Sequence, residues 1–184
     1  MINREEALEL LRKYIKTKNL IKHSYAVEAI LGSMATRLGE NQELWTLTGL
    51  LHDLDYDLTK ETPEQHSTMT VSLLKGLLPP ESLNAIKSHN YQYTMQVPET
   101  TLDKSLIAAD AVSGLVIAAA LVMPTKKLQD VQLKTVLRKF KDSSFAAGCN
   151  RKRIILCEDV DVELSEFLQI SLSALQNISS ELGL

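Results

Sequence analysis

The chain has 184 residues, 45% of them hydrophobic and 23% charged, with a formal net charge of −3. That length holds one domain or two small ones with a real core, and the mildly acidic balance gives no support to a nucleic-acid surface built on charge. The two cysteines, Cys149 and Cys157, form neither a disulfide framework nor a zinc-finger spacing, so a reducing cytoplasm is the expected setting.

The pattern reads as helical throughout. Asn3 with Glu6 forms a capping box that predicts a helix over about 4–18. MINREEALELLRKY is amphipathic and lacks the apolar core of a signal peptide. A second helix is expected over about 21–38, where Tyr25, Ala26, Ala29, Ile30, Met34 and Leu38 keep three-four spacing and Gly39 supplies the stop. Asn41 is placed to cap a third, which runs into the stretch GLLHDLDYD at 49–57. A fourth is predicted over about 63–77 with Pro63 in its first turn, and Pro79 and Pro80 launch a fifth that ends near Asn90.

After a loop over 91–101 comes the most apolar segment, a predicted helix over about 102–123 ended by Pro124. Asp110, Ser113 and Gly114 interrupt its apolar run, which favours a buried core helix over a bilayer span. An amphipathic helix over 128–140, a short one over 151–158 and a last one over 164–182 complete the chain; IILC at 154–157 is the sole, short strand candidate. The expectation is one all-α domain over 1–184, a single bundle of about nine helices.

Four histidines, His23, His52, His66 and His89, fall on or beside different predicted helices, and Asp110 falls on another. A carboxylate inside the most apolar helix is costly unless a cation or a set of hydrogen bonds satisfies it. Ligands projecting from several facing helices are how a bundle builds an interior site. Imidazole with carboxylate suits Fe, Mn, Zn, Co or Ni better than calcium. Taken singly, each residue has a plainer reading: a histidine on the surface, Asp110 as a structural acid, Asp55 and Asp57 as solvated loop acids. The joint pattern favours a metal.

That pattern, His23, His52-Asp53, His66, His89 and Asp110 in order, resembles the HD superfamily of metal-dependent phosphohydrolases, more narrowly its HDIG-type branch. The flanking text IKHSYAVEAI, LTGLLHDLDYD, PEQHSTMTVSLL, AIKSHN and LIAADAVSGL carries the likeness over about 20–115, with the helices of 125–184 expected to pack on that core. The resemblance implies one or two divalent transition ions. One would take His23, His52, Asp53 and Asp110; a second would share Asp53, the catalytic carboxylate, and add His66 and His89. Two departures stand out. HD-Leu-Asp-Tyr replaces HD-Ile-Gly-Lys, leaving Lys60 as the nearest lysine, and His89-Asn90 replaces a histidine pair, leaving the second ion one imidazole short.

The resemblance further implies hydrolysis of a phosphomonoester or phosphoanhydride of a nucleotide or related small metabolite by a metal-activated hydroxide. Lys60, Asn90 and Arg151 are the candidate substrate-binding residues, with Lys126 and Lys127 as further cations. The alternatives are a non-catalytic regulatory module that binds a metal or ligand, and a di-iron oxygenase on the same six positions. The expected partner is a small phosphorylated molecule. Neither a nucleic-acid polymer, for which no base-stacking pattern exists, nor a membrane is expected, and a homodimer is admitted.

Overall fold

The structure, a computed structural model, describes residues 1–184. It is all α, with twelve α-helical segments, two 3-10 segments and no strand. The first eight helices are α1 (Arg4–Tyr14), α2 (Lys18–Leu38), α3 (Gln42–Leu51), α4 (Tyr56–Thr59), α5 (Thr68–Leu74), α6 (Pro80–His89), α7 (Tyr91–Thr94) and α8 (Thr101–Leu121). Then follow α9 (Leu133–Lys141), α10 (Arg151–Ile154), α11 (Leu164–Asn177) and α12 (Ser179–Leu182). The 3-10 segments are Leu128–Asp130 and Ile155–Val160.

Local chemistry sets several boundaries. Asn3 and Glu6 close their capping box, and the Asn41 side chain accepts the Leu44 N–H. Gly39 ends α2 at φ 73°, a left-handed conformation that costs glycine little. Thr100 and Asp103 form a second capping box at the start of α8.

Tertiary context moves other boundaries. The helix expected over 63–77 forms only from Thr68 to Leu74, because Ser67 before it sits at φ 72° and breaks the run. Such a backbone costs on the order of 1–3 kcal/mol, and here it lies directly after His66. The expected 128–140 helix splits into a 3-10 turn and α9, and IILC is helical, ending α10 and entering the second 3-10 segment.

The apolar residues form one continuous core, in which α8 packs against α2, α6, α9, α10 and α11. By length and hydropathy α8 could cross a membrane, but 61% of its most apolar window is buried inside this fold. Helices α2 and α3 run closely together, and a buried hydrogen bond from Thr48 Oγ1 to Ser82 Oγ at 2.8 Å ties α3 to α6. Helices α2, α6 and α8 carry His23, His89 and Asp110, and His52 caps the C-terminal end of α3.

Candidate metal centre

The end of α3 is where the site begins. His52 is fully buried and Asp53 is 6% exposed. The His52 ring hydrogen-bonds the Gly49 carbonyl through Nδ1 at 2.8 Å. That contact makes Nδ1 the protonated nitrogen and leaves Nε2 with a bare lone pair. Nε2 is buried and has no hydrogen-bond partner. Burial pushes this imidazole down to about 4, against the pull of Asp53, so it is neutral at physiological pH.

The same arrangement recurs at the other three rings. His89 Nδ1 reaches the Ile86 carbonyl, and His66 Nδ1 reaches Asp55 Oδ1 at 2.7 Å. His23 Nδ1 lies 3.2 Å from Ser113 Oγ, whose own hydrogen goes to the Asp110 carbonyl, so the ring is the donor. Every imidazole therefore turns Nε2 toward the centre. An outer partner on Nδ1 is the device that fixes the tautomer of a metal-binding histidine.

Asp53 is the hub. Its Oδ1 lies 3.4 Å from His52 Nε2, 3.3 Å from His66 Nε2 and 3.2 Å from His89 Nε2, and its Oδ2 lies 3.5 Å from His23 Nε2. Asp110 Oδ1 is 3.2 Å from His23 Nε2, and the two ring nitrogens of His66 and His89 are 3.1 Å apart. Ligand bonds of about 2.0–2.1 Å at angles between octahedral and tetrahedral give edges of about 2.9–3.4 Å, so these separations match a coordination sphere. Two triads, His23-His52-Asp53 and Asp53-His66-His89, have the spacing to hold an ion. The residues present thus fit one or two divalent ions, with Asp53 common to both positions.

Electrostatics agree. Burial opposes ionisation of Asp53 and Asp110, yet the surrounding imidazoles, and for Asp110 also Arg153, hold both well below the usual carboxylate range. Burial also opposes a charge on His23, but its hydrogen bond to Asp110 and the charges of Asp110 and Asp53 raise its pKa. For His66 burial is again outweighed, by Asp53 and Asp55, and its pKa is driven up to about 10.

A raised folded-state value means that protonated His66 stabilises the metal-free protein fully below the unfolded value of about 6.5, and that this contribution is lost as pH climbs through 10. An entering ion must displace that proton. Apparent metal affinity is therefore expected to strengthen as pH rises toward about 10, by up to about tenfold per unit for the His66 proton alone. Titration calorimetry in buffers of different ionisation heat checks this; a pH-independent affinity contradicts it.

Asp55, expected to be a solvated loop acid, is not one. It is fully buried, with Oδ1 on His66 and Oδ2 accepting the Thr70 N–H at 2.9 Å. Asp57 is likewise engaged: its carboxylate accepts the backbone N–H of Lys16 and Thr17 and pins the turn after the doublet to the start of α2. Asp55→Asn is expected to weaken metal binding roughly 10–100-fold, the usual loss when the outer partner of a metal-binding histidine goes. Metal competition against a fluorescent chelator measures it, and an unchanged affinity rules the role out.

The centre opens into a cavity of about 330 Å³ whose lining includes His23, Asp53, His66, His89 and Asp110. Among the expected substrate-binding residues only Asn90 lines it, and its amide nitrogen is given to the carbonyls of Pro63 and His66. Lys60 is outside the lining and pairs with Asp57 at 2.6 Å. Arg151 is also outside it, its guanidinium buried in backbone carbonyls. Lys126 and Lys127 do not line the cavity either. The cation that does is Arg153, whose Nη2 lies 3.0 Å from Asp110 Oδ2. Tyr56, edge-on to His66 at 5.3 Å between ring centres, also faces the cavity. No local signal separates Arg153 from Arg151, and none marks Asp55, whose partners His66 and Thr70 lie 11 and 15 residues further along the chain.

A helical bundle whose interior gathers four histidines and two aspartates in the order H, HD, H, H, D belongs to a defined class, and residues 20–115 match the HD domain family. The chain is a member of that family. It is similar to ribonuclease Y of Aquifex aeolicus, 27% identical over 172 residues, which cover 90% of this chain and 30% of the relative. Ribonuclease Y of Thermotoga petrophila is 31% identical over 164 residues, 85% of this chain and 31% of the relative. Against ribonuclease Y of Desulforudis audaxviator the identity is 36% over 98 residues, 53% of this chain and 18% of the relative. The chain thus spans about a third or less of the length of these relatives. No solved structure matches.

Proposed function

We propose that this protein is a metal-dependent phosphohydrolase that cleaves a phosphomonoester or phosphoanhydride of a nucleotide or related small metabolite, with the cytoplasm as its setting. The observation that carries this reading is the convergence of four Nε2 atoms, each with its Nδ1 engaged, on Asp53 at the cavity floor. His23, His52, Asp53, His66, His89 and Asp110 would hold a divalent ion of Fe, Mn, Zn, Co or Ni, which would supply a water nucleophilic near neutral pH and Lewis acidity toward a phosphoryl oxygen.

The chain's own residues do the rest. His52, neutral and buried, keeps its lone pair free of competing protons. Asp53 presents Oδ1 to three rings and Oδ2 to the fourth and belongs to both triads, so it would contribute to either ion position. Asp55 holds His66 in one orientation, and Ser113 does so for His23. A cavity of about 330 Å³ sits at the small end of the roughly 300–1,000 Å³ typical of small-molecule sites, which supports a compact substrate.

A second reading comes from the relatives, which are named as ribonucleases over a stretch that takes in 85–90% of this chain. Cleavage of an RNA phosphodiester calls on the same ion and the same nucleophile. The test is to load the protein with Mn(II), Co(II), Ni(II) or Fe(II) and offer nucleotides and phosphoesters beside short oligoribonucleotides. Release of inorganic phosphate or a nucleotide product from the small compounds supports the first reading. Shortening of the oligomers alone replaces it with the second. No turnover of either at full metal occupancy leaves a non-catalytic binding module.

A further inference from the structure

The HD match ends at residue 115, yet part of the cavity wall comes from far beyond it: Gly148, Cys149, Asn150 and Arg153. This wall is built by Arg151. Its guanidinium donates to the carbonyls of Lys139, Phe140, Asp142, Phe145, Ala146 and Cys149 at 2.5–3.3 Å, folding the loop after α9 onto the start of α10. The Asn150 side chain then caps the N–H groups of Lys152 and Arg153. The backbone of Arg153 is fixed from both sides.

Arg153 uses its fork incompletely. Nη2 serves both protein partners, Asp110 Oδ2 at 3.0 Å and the His89 carbonyl at 2.7 Å. Nε is buried without an acceptor. A guanidinium carries five N–H donors, so a side chain that merely neutralised Asp110 and held the His89 carbonyl would leave the rest idle. Among the lining side chains Arg153 is the one lysine or arginine. The chain as a whole is at −3, but residues 126–153, the stretch that ends in Arg153, hold nine lysines and arginines against two acids.

We propose that Arg153, presented by the wall that Arg151 folds, is the substrate-binding cation that receives a phosphoryl oxygen beside the metal centre. This rests on the phosphohydrolase reading. Planar, permanently charged and already pinned through Nη2, it offers Nη1, which no protein acceptor occupies, to a phosphate with little ordering cost. Arg151 is a positioning residue, acting only through the loop.

The experiment measures inorganic phosphate binding to the Mn(II)-loaded protein by calorimetry, with metal content and melting temperature recorded in parallel, for wild type, Arg153→Gln and Arg153→Lys. Gln keeps a donor for the His89 carbonyl but loses the charge. The expected result is a phosphate affinity roughly 10–100-fold weaker in Arg153→Gln at unchanged Mn(II) content, the loss that follows removal of a charge-assisted hydrogen bond, with Arg153→Lys between the two.

If Arg153→Gln binds phosphate as wild type does, the proposal is overturned while the hydrolase reading stands. Loss of Mn(II) in step with phosphate overturns it too, since Arg153 would then act by holding Asp110. Should Arg153→Gln fail to fold, the Lys variant decides: phosphate affinity equal to wild type overturns the proposal, and a weaker one at full Mn(II) content upholds it. A wild type that holds Mn(II) but neither binds phosphate nor turns over any phosphoester brings down the hydrolase reading, and this proposal with it.

Discussion

Asp53→Asn is expected to strip the protein of its ion and, with it, of all turnover. The carboxylate lies within 3.2–3.5 Å of all four imidazoles and is the member common to both ion positions. Loss of an outer partner alone costs roughly 10–100-fold in metal affinity. Removing the shared ligand, and the charge that offsets a divalent ion, therefore costs more than about a hundredfold. Asn is nearly isosteric, so the packing around a residue only 6% exposed is kept, and the melting temperature of the metal-free variant controls for misfolding. Metal analysis after desalting reads the effect. His52→Ala should behave alike, because it removes the buried Nε2 that has no other partner. A folded Asp53→Asn protein with full metal content would remove the basis for the site.

The second large effect is expected at a residue with no side chain. A Cβ on Gly49 would lie 2.9 Å from the Val27 carbonyl oxygen, 3.0 Å from its carbon and 3.1 Å from Glu28 Cα. All three are backbone atoms of α2, which cannot swing aside, so Gly49→Ala must push α3 away from α2. Overpacking of this kind costs roughly 1–3 kcal/mol, and for a chain of this length each kcal/mol lowers the melting temperature by about 2–4 °C. The damage also reaches the site, since His52 caps the end of α3 and the Gly49 carbonyl holds that ring. Metal affinity should fall together with stability.

Gly32→Ala is the informative comparison. There the only close contact of the new Cβ is Thr46 Cγ2, at 2.8 Å. A side chain on a partly exposed residue can rotate away, and the gain in helix propensity of up to about 1 kcal/mol works in the other direction. Gly32→Ala is therefore expected to melt well above Gly49→Ala and to keep its metal. Equal melting temperatures for the two would show that the α2–α3 approach is not the constraint described.

Residue type and spacing along the chain were enough for the all-α class, for the caps at Asn3 and Asn41 and for the stop at Gly39, and the likeness to the HD superfamily added the six residues that the fold brings to one point. These are local facts. A cap is satisfied within a turn, amphipathic periodicity repeats every few residues, and imidazole with carboxylate has a restricted choice of ions wherever it is gathered. The order of His23, His52-Asp53, His66, His89 and Asp110 could be read without knowing how the helices pack.

Contacts between distant segments are another matter, and there the linear pattern misleads. Asp55 has the sequence surroundings of a solvated acid, but Thr70 of α5 and His66 just before that helix close over it. Lys60, near the doublet in sequence, turns to Asp57 instead of the cavity. Arg151 and Arg153 stand two residues apart on one helical turn, about 200° around the axis, so at most one could face the cavity. Sequence offers no basis for choosing between them. The choice is made by the loop over 142–150, whose carbonyls capture Arg151, and by the packing of α10 on α8, which sets Arg153 against Asp110. Residue identity is written along the chain, but the direction in which a side chain points is a property of the whole packed molecule.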